Sequence, residues 1–250
     1  MAKLSDIVAF CDARVDRKNV IDFPGANNGL QFGNSGEVKK IGAAVDASTA
    51  VFSEAARRGI DLLLVHHGMF WHAQHPVVGA IYKKFKTLFD ADLAVYSAHL
   101  PIDKHREIGN NVVLARLLSL EIIDWGLEYE GNLFAAICRG IPRQELAARL
   151  KKLFPETFKA IEFGSENPAK IALLCGSGNT GVPALESLGC DTLVCGELRE
   201  EHFARAQDSG FNLYPCGHYA TEKFGICELA REAAEKFSLP WEFIETNCPL

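Results

Sequence analysis

Short apolar runs alternate with amphipathic stretches along most of the chain, and their spacing sets the elements. Residues 4–19 place Leu4, Ile7, Val8, Cys11 and Val15 on one helical face, which predicts an opening amphipathic helix. Ile41–Val45 reads as a short strand, Ser48–Arg58 as a helix and Asp61–Val65 as a second strand. The alternation continues with a helix over 78–91, a strand over 93–98 and a helix over 110–120. Strands of about five residues separated by helices of about ten describe βαβ units around a parallel-rich sheet. After Trp125-Gly126 the pattern resumes with a strand at Leu133–Cys138, a helix at Arg143–Leu153 and buried strands at Ile171–Cys175 and Thr192–Cys195. Helices at Glu200–Ser209 and Thr221–Lys236 complete it. The fold class is α/β, with two α/β lobes carrying parallel-rich mixed sheets. The expected division is residues 1–127 and 128–250, joined near 124–131.

Composition narrows the class without naming a function. At 250 residues the chain holds one to two domains, and 48% apolar with 23% charged residues excludes intrinsic disorder. Lys+Arg 26 against Asp+Glu 32 leaves a net charge of −6 with no basic stripe, which argues against nucleic acid as a partner. The eight cysteines, at 11, 138, 175, 190, 195, 216, 227 and 248, nowhere form C-x-x-C, and several sit in apolar stretches. With no apolar run at Met1–Asp6 and no stretch near the ~20 residues of a membrane span, the expectation is a reduced, cytoplasmic protein with unbridged, structural thiols and no membrane partner.

Three segments carry candidate chemistry. Leu62–Val65 runs into His66-His67-Gly68, at the carboxyl end of a strand, where open α/β sheets place their sites. Adjacent strand residues point to opposite faces, so the pair suits two ions flanking the strand end, or one ligand and one orienting ring. Ala98-His99-Leu100-Pro101-Ile102-Asp103 follows another strand and would open on the same edge, with Pro101 stopping the strand and Asp103 placed to bridge cations. Gly217-His218-Tyr219-Ala220-Thr221-Glu222 begins a helix, where His218 and Glu222 at i and i+4 project from one face.

Each segment also has an ordinary reading, as strand-end polar residues, a turn cap and a helix-start carboxylate. Together they offer His66, His67, Asp103, His218 and Glu222. A nitrogen and oxygen set of this kind suits Zn, Fe, Mn, Ni or Co, and five ligands fit two divalent ions better than one. His99 is a candidate proton carrier, and Glu107 a candidate for holding substrate. His72, His75 and His105 flank these segments, whereas His202 reads as a solvated helix residue. Gly176-Ser177-Gly178-Asn179-Thr180-Gly181 has the spacing of a dinucleotide loop, but the helix after it is short. A loop that packs beside the metals or approaches an anionic substrate is the favoured use of its glycines.

These motifs resemble the Nif-three-like dinuclear metal-centre family, widely labelled GTP cyclohydrolase 1 type 2 homologues. The resemblance rests on Asn28-Gly29-Leu30-Gln31, Val45-Asp46-Ala47-Ser48, His66–Trp71, Ala98–Asp103, Glu107–Asn111, Gly196-Glu197-Leu198 and Gly217–Glu222, and it covers nearly the whole chain. It implies a dinuclear site in the cleft between two lobes, with His66, His67, Asp103, His218 and Glu222 as the metal ligands. It also implies a homo-oligomer, a toroidal hexamer in the family. Where the family commonly has GHHATE, this chain has Tyr219 in place of the second His. The expected function is metal-dependent hydrolysis of a nucleotide-like substrate by a two-metal-activated water. The alternative is a metal-binding scaffold or regulatory protein without turnover, with Phe70-Trp71 as an interface anchor.

Overall fold

The computed structural model describes residues 1–71 and 76–250; His72 and His75 lie outside the described residues. In chain order the main strands are β1 (Gly29–Phe32), β2 (Ile41–Asp46), β3 (Leu62–His67), β4 (Ala94–Ser97), β5 (Ile122–Tyr129), β6 (Asn132–Arg139), β7 (Ile161–Glu162), β8 (Lys170–Ser177), β9 (Thr192–Glu197), β10 (Asn212–Pro215) and β11 (Trp241–Phe243). The helices are α1 (Leu4–Arg14), α2 (Thr49–Arg57), α3 (Gly79–Ala91), α4 (Leu100–Asp103), α5 (Asn110–Leu117), α6 (Arg143–Leu153), α7 (Gly181–Leu188), α8 (Glu201–Ser209), α9 (His218–Thr221) and α10 (Lys223–Phe237). Two compact units result, 1–102 with 225–246 and 103–224 with 247–250. The chain therefore passes between units at 102/103, 224/225 and 246/247, and residues 127 and 128 fall inside β5.

The first unit is built on a five-stranded sheet in the order β11-β2-β3-β4-β1. Strands β11, β2, β3 and β4 run parallel, and β1 pairs antiparallel with β4. Leu62, Leu63, Leu64 and Val65 are all fully buried, as a strand covered on both faces requires. Phe52, Ile60, Leu88, Leu93 and Ile244 pack with Leu63, Val65 and Val95 into one core cluster. Ser48 caps α2, its Oγ accepting the Val51 N–H at 3.2 Å. The predicted opening helix ends at Arg14, followed by a 3₁₀ turn at Arg17–Asn19.

The second unit holds a six-stranded mixed sheet, β5-β6-β8-β9-β10-β7. Strands β8, β9 and β10 are parallel, and the other pairings are antiparallel. The expected joint at 124–131 is instead the β5–β6 hairpin. Tyr129 pairs with Asn132, and Glu130-Gly131 between them take φ of 48° and 74°. Two consecutive positive φ values are what a two-residue turn needs to match strand twist. Strand β5 is invisible to the apolar pattern because only Gly126 in it is buried. The predicted helix at 221–236 is divided, with α9 ending at Thr221 and α10 starting at Lys223.

Parallel strands align their carboxyl ends, so each sheet presents one chemical edge. In the first unit that edge gathers Asp46 from β2, His66 and His67 from β3, and His99 beyond β4. In the second it gathers Gly176 from β8, Glu197 from β9 and His218 beyond β10.

Candidate metal centre

Three imidazoles converge in the first unit. The ring centroids of His66 and His67 are 4.8 Å apart, those of His66 and His99 5.0 Å, and those of His67 and His99 5.6 Å. One ring nitrogen from each lies within 4.8 Å of the others, a group that could hold a metal ion. Strand alternation predicts opposed faces for His66 and His67, yet their rings meet. The β2–β3 ladder stays in register as far as Asp46 opposite His67. Each ring is held by its own acceptor, at the end of a neighbouring strand or one residue past it. His66 Nδ1 lies 3.0 Å from the carbonyl oxygen of Ala98, and His67 Nδ1 lies 2.8 Å from Asp46 Oδ1.

His99 Nδ1 lies 2.9 Å from Asp22 Oδ1. Burial alone would raise the Asp22 carboxyl, but hydrogen bonds from His99, Asn28 and the Phe23 N–H outweigh it and hold it below its ordinary value. Trp71 donates its indole N–H to the Gly68 carbonyl at 2.9 Å and stands edge-on to His99 at 4.9 Å. That makes Trp71 part of the wall beside the imidazoles. Gly68 lets the Gln31 side chain come close, and Gln31 Oε1 accepts the Met69 N–H.

In the second unit His218 Nδ1 lies 3.2 Å from Glu197 Oε1, and its Nε2 lies 3.0 Å from Glu222 Oε2. Both ring nitrogens face carboxylates, so in either neutral tautomer one nitrogen lone pair faces a carboxylate oxygen. Two acceptors at that distance need a proton or a cation between them. Gly176 makes this approach possible. A Cβ there would fall 2.0 Å from Glu222 Oε1, and the residue has φ +73°. Gly178 lies against the Glu197 carbonyl and Gly181 against Leu174 and Leu193, so all three glycines of the 176–181 loop are engaged in packing.

Asp103 ends α4 and accepts from Asn110 Nδ2 at 2.8 Å. Burial drives the Cys175 thiol well above its ordinary value, with the charges of Asp103 and Glu222 adding to the rise. Both carboxylates therefore act on one spot of the second unit. The neighbouring Asn111 holds that spot, accepting the Cys175 N–H at 2.8 Å and donating to the Phe134 carbonyl at 2.9 Å.

Glu107 is exposed on the turn after α4, where its N–H donates to His105 Nδ1 at 3.1 Å. His202 differs from its expected place. It is buried, and its Nδ1 accepts the Arg199 N–H at 3.1 Å near the start of α8. Tyr219 is also buried, with its N–H bonded to the Leu250 carbonyl and Lys223 Nζ 5.4 Å above its ring. None of the eight cysteines is joined in a disulfide.

The donor set fits a transition-metal ion. Each of His66, His67, His99 and His218 has Nδ1 against an oxygen that can only accept: a carbonyl or a carboxylate. In His66, His67 and His99 Nδ1 then carries the proton and Nε2 the lone pair, the arrangement found in metal-ligating histidines, whereas His218 has a carboxylate at each ring nitrogen. Sequence reasoning missed the orienting acids Asp22, Asp46 and Glu197 as a group. The signal available was weak: Asp46 and Glu197 both sit at strand ends, while Asp22 lies in a loop.

Residues 2–249 match the Duf34/NIF3 (NGG1p interacting factor 3) family. A relative from Deinococcus radiodurans called GTP cyclohydrolase 1 type 2 homolog is 36% identical over 220 residues, 87% of this chain and 84% of that protein. A protein of the same name from Pyrococcus horikoshii is 35% identical, covering 96% of each. The crystal structure of TTHA1606 from Thermus thermophilus is similar across the full length of both chains, with a TM-score of 0.89 at 34% identity. From fold, motifs and full-length similarity together, the chain belongs to the Duf34/NIF3 family.

Proposed function

We propose that this protein is a metal-dependent hydrolase acting on a nucleotide-like substrate, with His66, His67, Asp103, His218 and Glu222 as ligands to two divalent ions. One observation carries the reading: His66 and His67 each have Nδ1 against an oxygen that can only accept, which puts the lone pair on Nε2, the nitrogen that ligates, and His218 stands between two carboxylates. The nitrogen and oxygen donors favour Zn, Fe, Mn, Ni or Co over Ca. Bound ions would lower the pKa of water and polarise the bond to be cleaved.

The chain's own residues supply the rest. Asp46, Asp22 and Glu197 fix the rings, and Asn110 fixes the Asp103 carboxylate through one of its oxygens. His99, with its Nδ1 on Asp22, carries a proton at Nε2 between water and leaving group. Glu107, exposed beside α5, contacts the substrate. The eight unbridged thiols support a reducing compartment, and we place the protein in the cytoplasm. No helix among the described residues is long and apolar enough to cross a membrane.

We also propose a homo-oligomer, the hexamer that the family resemblance implies. Supporting it, Leu88 is the sole buried residue of α3, and Val78, Tyr82 and Phe89 are 67%, 55% and 71% exposed on or beside that helix. Light scattering that returns a monomer mass would contradict the oligomer.

The hydrolase is tested by loading the protein with each metal and assaying a panel of nucleotides and phosphoesters. His66→Ala and Asp103→Ala are expected to lower turnover by roughly 100-fold. Bound metal without any turnover across the panel would instead favour a scaffold or regulatory role.

A further inference from the structure

His99 lies past the end of β4, where the ladder no longer holds its backbone, yet its ring is among the most constrained in the first unit. The constraint comes from a loop that the hydrophobic pattern leaves unassigned. Asp22 Oδ1 accepts from His99 Nδ1 at 2.9 Å and from the Phe23 N–H at 2.7 Å. Its Oδ2 accepts from Asn28 Nδ2 at 2.7 Å and from the Leu100 N–H at 3.1 Å. Asn28 turns its own Oδ1 to the His99 N–H at 2.8 Å. The Asp22 side chain is only 3% exposed, and that of His99 11%.

Four donors surround this buried carboxylate, which accounts for its charge and removes its freedom to rotate. Phe23 and Trp71 close the sides of the imidazole, with centroids 5.8 Å and 4.9 Å from it. One loop thus grips His99 three times: at the ring, at its own N–H and at the N–H of the next residue.

We propose that Asp22 and Asn28 are positioning residues that lock His99 in the Nδ1–H tautomer and leave Nε2 as its working nitrogen beside His66 and His67. An ionised carboxylate can only accept, so the Nε2–H tautomer would set a lone pair against Asp22. A histidine that accepts and returns protons at Nε2 needs the other nitrogen held in this way, and the wrong tautomer disables it. Asn28 extends the control to the backbone by bonding Asp22 and His99 at once. This assigns the loop ahead of β1, residues 22–28, to the site. The proposal builds on the reading of His99 as a proton carrier.

The test is nitrogen-15 solid-state NMR of the full zinc-loaded protein labelled at histidine, with His99→Gln used to assign the His99 signals. His99 is expected to carry its proton on Nδ1. In Asp22→Ala the ratio of Nε2–H to Nδ1–H should rise about tenfold or more, and in Asn28→Ala it should move in the same direction by less. His202, with Nδ1 accepting the Arg199 N–H, is an internal reference that should not change.

A wild-type His99 protonated on Nε2 alone overturns the proposal, as does an Asp22→Ala ring that keeps its tautomer. If Asp22→Ala fails to fold, the wild-type spectrum and Asn28→Ala decide. A wrong hydrolase reading would show instead as absent metal and absent turnover with the His99 tautomer as expected.

Discussion

Gly176 shows how one missing Cβ sets chemistry. With φ +73° and Glu222 Oε1 2.0 Å from where a Cβ would stand, Gly176→Ala is expected to displace Glu222 and cost roughly 1–3 kcal/mol. Urea denaturation reads the stability, and metal analysis of the same variant should show reduced binding. Unchanged values in both would mean that the loop yields freely. At this scale the proposed ligand types were legible in the sequence, because His66-His67 end a strand, Asp103 closes the turn after another, and His218 and Glu222 are four residues apart after a third. Their orienting partners were not. Asp22 and His99 are 77 residues apart, and Asp46 and His67 21, and no local periodicity links such pairs. The meeting of the His66 and His67 rings was also hidden, since alternation holds only inside a ladder, and these rings bend to separate acceptors at its end.

Elements bring those residues together. Strand β2 ends at Asp46, and α2 starts three residues later under its Ser48 cap. Ser48→Ala should therefore destabilise the protein by about 0.5–2 kcal/mol, whereas Ser48→Asp should keep most of the stability. Thermal unfolding of the two variants side by side checks this; equal losses would show that the cap is not the cause. Elements with dense apolar cores, such as β3 and β8, were readable from runs like Leu62–Val65 and Ile171–Leu174. The hairpin at β5 was not, because its exposed residues carry no stripe and its turn is Glu130-Gly131 rather than Asn-Gly. The division of the last helix at Glu222 was hidden as well. The i,i+4 spacing of His218 and Glu222 suits a continuous helix, while the residue itself has φ −103° and ψ 5°.

Across the whole molecule, burial of thiols ties stability to pH. Burial pushes Cys11, Cys138 and Cys216 up to about 12 and Cys190 up to about 11. Such groups ionise more easily in the unfolded chain, at about pH 8.5, than in the folded one. Their stabilisation is complete below that value and is lost as pH climbs toward their folded values. The midpoint of thermal unfolding should fall between about pH 8.5 and about pH 10.5, and Cys11→Ala should flatten part of the fall. A constant midpoint over that range would contradict it. The same burial predicts that native Cys11, Cys138 and Cys216 resist iodoacetamide at about pH 8, with mass spectrometry after digestion as the readout.

Metal held by the strand-end histidines and carboxylates is the premise beneath the chemistry at every scale. Elemental analysis of the purified protein beside His66→Ala and Asp103→Ala decides it. About two divalent transition-metal ions per wild-type chain are expected, with a clear loss in each variant that still folds. Wild-type protein that takes up no metal when offered Zn, Fe, Mn, Ni or Co, or folded variants that keep the full complement, would contradict it.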